Sequence, residues 1–162
     1  ADKKVLIAFS SKYGTVRHAV GLLSDKITAT VETVDLKSRS RLSVEGFDLV
    51  LIGASIHAGS IQRVVKSFAE RNTEDLLKKP LGFFISCTTT GESAEAYIEG
   101  AYNSRLLAHA FIKRAVGGRI NQSELKGLDR FLLHKVAKVT KDVDNFSPEK
   151  IAEIAEAVNS RL

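Results

Sequence analysis

Cysteine, long apolar runs and clustered metal ligands are what this chain lacks, and each shortage narrows what it can be. Its single cysteine, Cys87, excludes an internal disulfide and fits a reducing compartment. No segment approaches the ~20 consecutive apolar residues needed to span a bilayer. The opening Ala1-Asp2-Lys3-Lys4, followed at once by an apolar strand, is too short and too polar for a signal peptide. We therefore expect a cytoplasmic protein, at most peripheral on the inner face of the cell membrane. Scattered histidines and one cysteine show no metal-ligand spacing, so no metal site is expected. No lysine run interleaved with aromatics and no recognised nucleic-acid motif is present, so nucleic acid is not an expected partner. Internal repeats and low-complexity tracts are missing as well.

What is present is ordinary in bulk. A chain of 162 residues, 44% hydrophobic and 27% charged, can bury a full core as one domain over residues 1–162. The formal net charge of +5 favours anionic partners: phosphates, carboxylate substrates or acidic lipid headgroups. The plainer alternative is that the excess positive charge only keeps the protein in solution.

The stretch that organises the rest is Val5-Leu6-Ile7-Ala8-Phe9-Ser10-Ser11-Lys12-Tyr13-Gly14-Thr15. Its first half is a short apolar run, suited to a strand covered on both faces. Its second half turns to hydroxyl, basic and glycine residues, and a helical pattern follows. A strand, a Ser/Gly/Thr turn and a helix make an anion site, because loop and first-turn N–H groups converge where the helix dipole is positive. The alternative is a mere turn with Ser11 or Thr15 capping the helix. Neither Gly-Lys-Thr after a four-residue gap nor the three spaced glycines of a dinucleotide fold is present.

Along the chain, Val16, Ala19, Val20, Leu22, Leu23 and Ile27 recur at helical spacing, and Val31–Leu36 reads as a second strand. Phe47–Ala54 is a continuous apolar strand, followed by a loop over Ser55–Ser60 and a helix over Ile61–Glu70. Leu81–Cys87 is a fourth strand, followed by the polar run Thr88–Glu92 and one helix over Ser93–His109. Phe111–Gly117 is a fifth strand, and Ser123–Lys141 is helical. A final helix starts with Ser147 as cap and Pro148 in its first turn, and runs to about Asn159.

This strand–helix alternation predicts an α/β fold, a doubly wound five-stranded parallel sheet in the order 2-1-3-4-5 with helices on both faces. Ligands of such sheets sit beyond the carboxyl ends of the strands, at the switch point of strand order. Three loops leave strand carboxyl ends with ligand-like chemistry: Ser10–Thr15, Ser55–Ser60 and Thr88–Glu92. One phosphate cradle flanked by two loops able to border a planar group points to a mononucleotide, FMN in particular, rather than FAD or NAD.

The phosphate loop, the turn Gly53-Ala54-Ser55-Ile56-His57-Ala58-Gly59 and the helix segment Leu128-Asp129-Arg130-Phe131 together resemble the flavodoxin-like, menaquinone-dependent protoporphyrinogen oxidases. The resemblance covers nearly the whole chain, and the turn and the Asp-Arg-Phe segment are its more specific parts. It implies one non-covalent FMN, protoporphyrinogen IX as substrate, and menaquinone or another quinone as acceptor at the membrane. Carried over by position, Ser10, Ser11, Lys12, Tyr13, Gly14 and Thr15 would hold the FMN phosphate. Ser55, Ile56, His57, Ala58 and Gly59 would lie along one side of the isoalloxazine, and Thr88, Thr89, Thr90 and Gly91 would take its pyrimidine edge. Such phosphate loops usually end with threonine where this chain has Val16, and Thr15 stands one position earlier. The chain has no tryptophan to stack on the ring.

His57 could move a proton or meet a substrate propionate, since imidazole titrates near neutrality; otherwise it is an exposed loop histidine. Cys87 reads as a small apolar packing residue rather than a redox thiol. The helix Leu125–Lys141 carries leucines and valines on one side, with Lys126, Arg130, Lys135, Lys138 and Lys141 around the remainder. A basic amphipathic helix of this kind could contact an anionic membrane, or it could simply cover the sheet. Three functions remain open: a flavoenzyme oxidising protoporphyrinogen, a flavodoxin-type electron carrier without its own substrate, and a flavodoxin-like domain that has lost flavin.

Overall fold

The computed structural model describes residues 3–12, 14–56, 59–87, 92–120 and 143–162. Short aliphatic and β-branched runs form the strands β1 (Lys4–Phe9), β2 (Thr30–Asp35), β3 (Leu49–Ser55), β4 (Leu81–Ser86) and β5 (Ile112–Ala115). They build one parallel sheet in the order β2-β1-β3-β4-β5, as the alternation predicts. The helices are α1 (Thr15–Lys26), α2 (Arg63–Arg71), the single turn α3 (Thr73–Leu76), α4 (Glu92–Glu99), α5 (Ser104–His109) and α6 (Pro148–Asn159).

The near-continuous hydrophobicity of β1, β3 and β4 follows from burial on both faces. Leu6 and Ala8 of β1, Val50 and Ile52 of β3, and Phe83 and Ile85 of β4 share one core with Val65 and Phe68 of α2, Ile98 of α4 and Leu106 of α5. Their neighbours Val5, Ile7, Phe9, Leu49, Leu51 and Phe84 point the other way. They share a second core with Val16, Ala19 and Leu23 of α1 and with Ile151, Ile154 and Val158 of α6. Burying each Val, Leu, Ile or Phe is worth about 1.5–3 kcal/mol. A one-residue register slip would therefore exchange the two cores.

The helix expected over Ser93–His109 is two helices. α4 stops before Gly100, and Asn103 restarts the chain by accepting a hydrogen bond from the Leu106 N–H at 2.9 Å, an N-cap that begins α5. The fifth strand is also shorter than expected. Beyond it, β6 (Arg119–Ile120) and β7 (Val143–Asp144) form an antiparallel ribbon that two residues per strand are too few to announce. α6 starts as expected, with Pro148 in its first turn and the Ser147 hydroxyl accepting from Lys150 N–H at 3.3 Å. The amphipathic helix expected over Leu125–Lys141 lies outside the described residues. Among the described residues, no helix is long and apolar enough to cross a membrane.

Two close contacts generate predictions. Gly53 sits in β3 opposite Phe84 of β4, and a Cβ there would fall 2.7 Å from Phe84 Cε2. Gly53→Ala should therefore destabilise the fold by about 1–3 kcal/mol. Adding Phe84→Leu should recover part of that loss, so that in urea unfolding the double variant falls short of the sum of the two single losses. Tyr102 stacks on Phe83 with centroids 4.0 Å apart, and its buried hydroxyl has no partner among the described residues. Burial holds its phenol well above the ordinary tyrosine range. An unfolded tyrosine loses its proton near pH 10 whereas the folded one keeps it, so this contribution to stability declines as pH rises past about 10. Tyr102→Phe should remove that alkaline decline and be neutral or stabilising at pH 7. Urea unfolding of both proteins across pH 7–11 measures the difference.

Candidate functional site

The parallel sheet brings the carboxyl ends of β1, β3 and β4 side by side, and the loops leaving them are tied together. Ser10 N–H donates to Gly53 O at 3.1 Å, continuing the β1–β3 ladder by one residue. Ile56 N–H donates to Ser86 O at 2.9 Å, and Cys87 N–H to Gly117 O at 3.2 Å. Across the crevice, Lys12 N–H donates to the Ser55 hydroxyl oxygen at 3.0 Å, joining the first loop to the end of β3.

The loop after β1 has features that fit an anion. Gly14 is the N-cap of α1 at φ +82°, a left-handed conformation that glycine adopts at no steric cost, and having no side chain it makes no capping bond. The alternative in which Ser11 or Thr15 is the cap is thus not the one seen, since the N-cap is Gly14. Thr15 is buried as the first helical residue, and Val16 lies in the core beneath α1. The position where related loops carry threonine is thus a packing position here. The first turn holds no acidic residue, so nothing on the helix itself offsets its positive end.

Ser10 and Ser11 both carry a buried hydroxyl with no partner among the described residues. An unmet buried hydroxyl costs about 1–3 kcal/mol. Two in succession before an uncapped helix N-terminus fit a phosphate group, which would accept from both and from first-turn N–H groups. Lys37 reaches in from the loop after β2, its Nζ donating to Ser11 O at 2.9 Å. Arg17 on α1 pairs with Asp35 at 2.6 Å.

Of the residues singled out from the sequence, Ser10, Ser11, Lys12, Gly14, Thr15, Ser55 and Ile56 come together around this crevice. Gly59 lies beyond on the β3–α2 connection, at φ +81°. Tyr13, His57, Ala58 and Thr88, Thr89, Thr90 and Gly91 lie outside the described residues. Cys87 is buried in the core that includes α2, consistent with a packing role. Sequence reasoning missed Lys37 and Gln62. Gln62, at the start of α2, accepts from Ser55 N–H through Oε1 at 3.1 Å. Lys37 was readable only as part of a basic loop, and a polar residue before an amphipathic helix carries no signal for Gln62.

The Gly14 geometry separates two effects that the sequence merges. A Cβ at Gly14 would meet nothing within 4 Å, so within the protein the obstacle is backbone conformation rather than space. Gly14→Val should cost about 1–2 kcal/mol for holding the left-handed conformation, and should weaken FMN binding. Gly14→Asn, which tolerates that conformation, should retain most of the stability. Urea unfolding and FMN titration of both variants check this, and unchanged titration of Gly14→Val would count against the site.

Comparison with known proteins supports the same assignment. A family model described as a flavodoxin domain matches residues 6–147. No curated protein sequence matches the chain. In fold it is similar to a short-chain flavodoxin associated with a PDU bacterial microcompartment, with TM-score 0.61 and 14% identity over 98% of this chain and 97% of that one. Oxidised flavodoxin 1 from Bacillus cereus gives TM-score 0.54 and 15% identity over 99% of each chain. Rubredoxin oxygen:oxidoreductase from Desulfovibrio gigas gives TM-score 0.55 and 15% identity over 97% of this chain, which spans only 35% of that protein. At such identities the likeness is one of fold. With the family model covering most of the sequence, and the hydroxyls of Ser10 and Ser11 near the N-terminus of α1 fitting a phosphate, the chain belongs to the flavodoxin domain family, and FMN is its cofactor.

Proposed function

We propose that this flavodoxin-family chain is an FMN oxidoreductase that dehydrogenates protoporphyrinogen IX to protoporphyrin IX and passes the electrons to menaquinone or another quinone. The observation that carries this reading is the charge at the cofactor end. Lys12, Lys37, Arg39 and Arg41 stand on the loops after β1 and β2, the last three exposed. The anions nearest in sequence, Asp35 and Glu32, are engaged by Arg17 at 2.6 Å and Arg39 at 3.6 Å. A basic rim suits a substrate that carries propionates, and suits poorly the acidic docking face typical of flavodoxin carriers.

The chemistry that FMN supplies when bound is hydride acceptance and the return of electrons singly or in pairs, so each two-electron dehydrogenation can reduce one quinone to the quinol. The chain's own part is to bind and orient. Ser10, Ser11 and the N-terminus of α1 hold the phosphate, Ser55 and Ile56 fix the start of the flavin-side loop, and the cations draw in the carboxylates. Because the acceptor quinone resides in lipid, the protein would touch an anionic membrane surface peripherally, each nearby lysine or arginine contributing about 1 kcal/mol.

A second reading, an FMN electron carrier without a small-molecule substrate, is supported by the end-to-end fold similarity to a free-standing flavodoxin, 99% of each chain. Anaerobic incubation of the FMN-loaded protein with protoporphyrinogen IX and a quinone analogue separates the two. We expect porphyrin fluorescence to grow with quinone consumption. Replacing the exposed Arg41 by glutamine should raise the KM for porphyrinogen severalfold with FMN affinity unchanged. No porphyrin formation by a protein with a normal flavin spectrum would favour the carrier. Sedimentation with anionic vesicles at low salt tests the membrane contact, and no binding there would exclude it.

A further inference from the structure

We propose that Gln62 is a positioning residue that locks the β3–α2 connection to the phosphate loop, and so sets both the affinity for FMN and the balance between its oxidised and reduced forms; this rests on the FMN reading above. Gln62 is the N-cap of α2, with extended φ −62° and ψ 138°, yet its side chain makes no capping bond. Instead Oε1 reaches back seven residues and accepts from Ser55 N–H at 3.1 Å. The Ser55 hydroxyl oxygen in turn accepts from Lys12 N–H at 3.0 Å. Two hydrogen bonds in series therefore connect the start of α2, the carboxyl end of β3 and the phosphate loop.

The Ser55 N–H also fixes which way the amide points, because only the oxygen can accept from it. The Gln62 Nε2 is left buried and without a partner among the described residues. An unmet buried N–H group is costly, so its presence calls for an acceptor. The described residues hold four such orphaned side-chain atoms: Ser10 Oγ, Ser11 Oγ, Gln62 Nε2 and Tyr102 OH. Three belong to the segments that flank the crevice, whereas Tyr102 is stacked on Phe83 between α4 and α5. The two serine hydroxyls await the phosphate. The Gln62 amide is the donor counterpart on the flavin side, held in place by its own oxygen.

Three variants test this. Gln62→Leu removes both halves of the amide at similar bulk. Gln62→Glu keeps an oxygen for Ser55 N–H but replaces the spare donor with an acceptor. Ser55→Ala removes the acceptor for Lys12 N–H. FMN affinity is read from flavin fluorescence quenching, apoprotein stability from thermal unfolding, and the midpoint potential by spectroelectrochemistry. Gln62→Leu and Ser55→Ala should each raise the Kd for FMN about tenfold. If the two act through one chain of bonds, the double variant should stay well below the roughly hundredfold loss that independent effects would give. Gln62→Glu, which keeps only the bond to Ser55 N–H, should also raise the Kd for oxidised FMN and should raise that for reduced FMN further. It should therefore lower the midpoint potential, because an acceptor in place of a donor disfavours the electron-richer reduced flavin. Each tenfold loss confined to the reduced form corresponds to about 30 mV for a two-electron couple.

Unchanged affinity in Gln62→Leu, a multiplicative loss in the double variant, or an unchanged potential in Gln62→Glu would each overturn the proposal. Should Gln62→Leu fail to fold, the potential of Gln62→Glu decides. A parent protein that binds no FMN would sink the cofactor assignment and this proposal together. That result is distinct from a parent that binds while the variants behave like it.

Discussion

The pairing of β1 with β2 on one side and β3 on the other is the constraint on which the rest of the structure depends. The chain leaves β1 through α1 on one face of the sheet, returns as β2, and then must cross to the far side of β1 to place β3. Right-handed crossovers put α1 and α2 on opposite faces, which splays the two connections apart and opens a crevice above β1 and β3. Every hydrogen bond that organises the site follows from that placement. Ser10 extends the ladder onto Gly53, and Lys12 meets Ser55, because the two strand ends lie side by side in register.

The crevice is also where the fold leaves its polar groups unmet. Two other helix N-termini are settled locally: Asn103 caps α5, Ser147 caps α6, and Glu149 sits in the first turn of α6. At α1 a left-handed glycine replaces the cap, no acidic residue follows, and two buried serine hydroxyls stand just before it. Each departure lowers stability on its own. Together they converge on one point, which is the arrangement expected where an anionic ligand supplies the missing acceptor.

How much of this could be read from the sequence depends on whether the cause was local. The apolar runs of β1, β3 and β4 announced a sheet covered on both faces, and the change from apolar to Ser, Gly and Thr announced the loop between β1 and α1, because both are short contiguous patterns. The break at Gly100–Asn103 does not show in the sequence, where Tyr97, Ala101 and Leu106 keep an apolar rhythm across it. The capping bond of Asn103, rather than periodicity, decides the boundary. Val16 reads from the sequence both as an apolar position of the helix and as a departure from the threonine of related loops, and its burial bears out the first. Once Gly14 becomes the N-cap, the helical turn carries position 16 to the sheet, and its side chain is chosen for packing rather than for phosphate. Lys37 and Gln62 act over 26 and 7 residues respectively, and only the folded topology brings such partners together.

Electrostatics at the crevice is likewise a local matter, and the net charge of +5 alone would mislead. On the far side of the sheet, positive side chains are largely matched: Arg114 lies 3.0 Å from Glu153, Lys113 2.8 Å from Glu99, and Arg105 2.7 Å from Glu74. Such exposed pairs contribute little to stability, yet they cancel the field that an approaching ligand would feel. At physiological salt, exposed charges are screened over about 8 Å, so a ligand entering above β1 and β3 responds only to the groups around that opening. There Lys37 donates to a carbonyl oxygen rather than to a carboxylate, and Arg41 adds another exposed cation on the same loop. A cradle that binds phosphate is common to carriers and enzymes of this fold. The sign of the charge left over at its mouth is what distinguishes a site that attracts a carboxylate-bearing substrate from one that docks a basic protein.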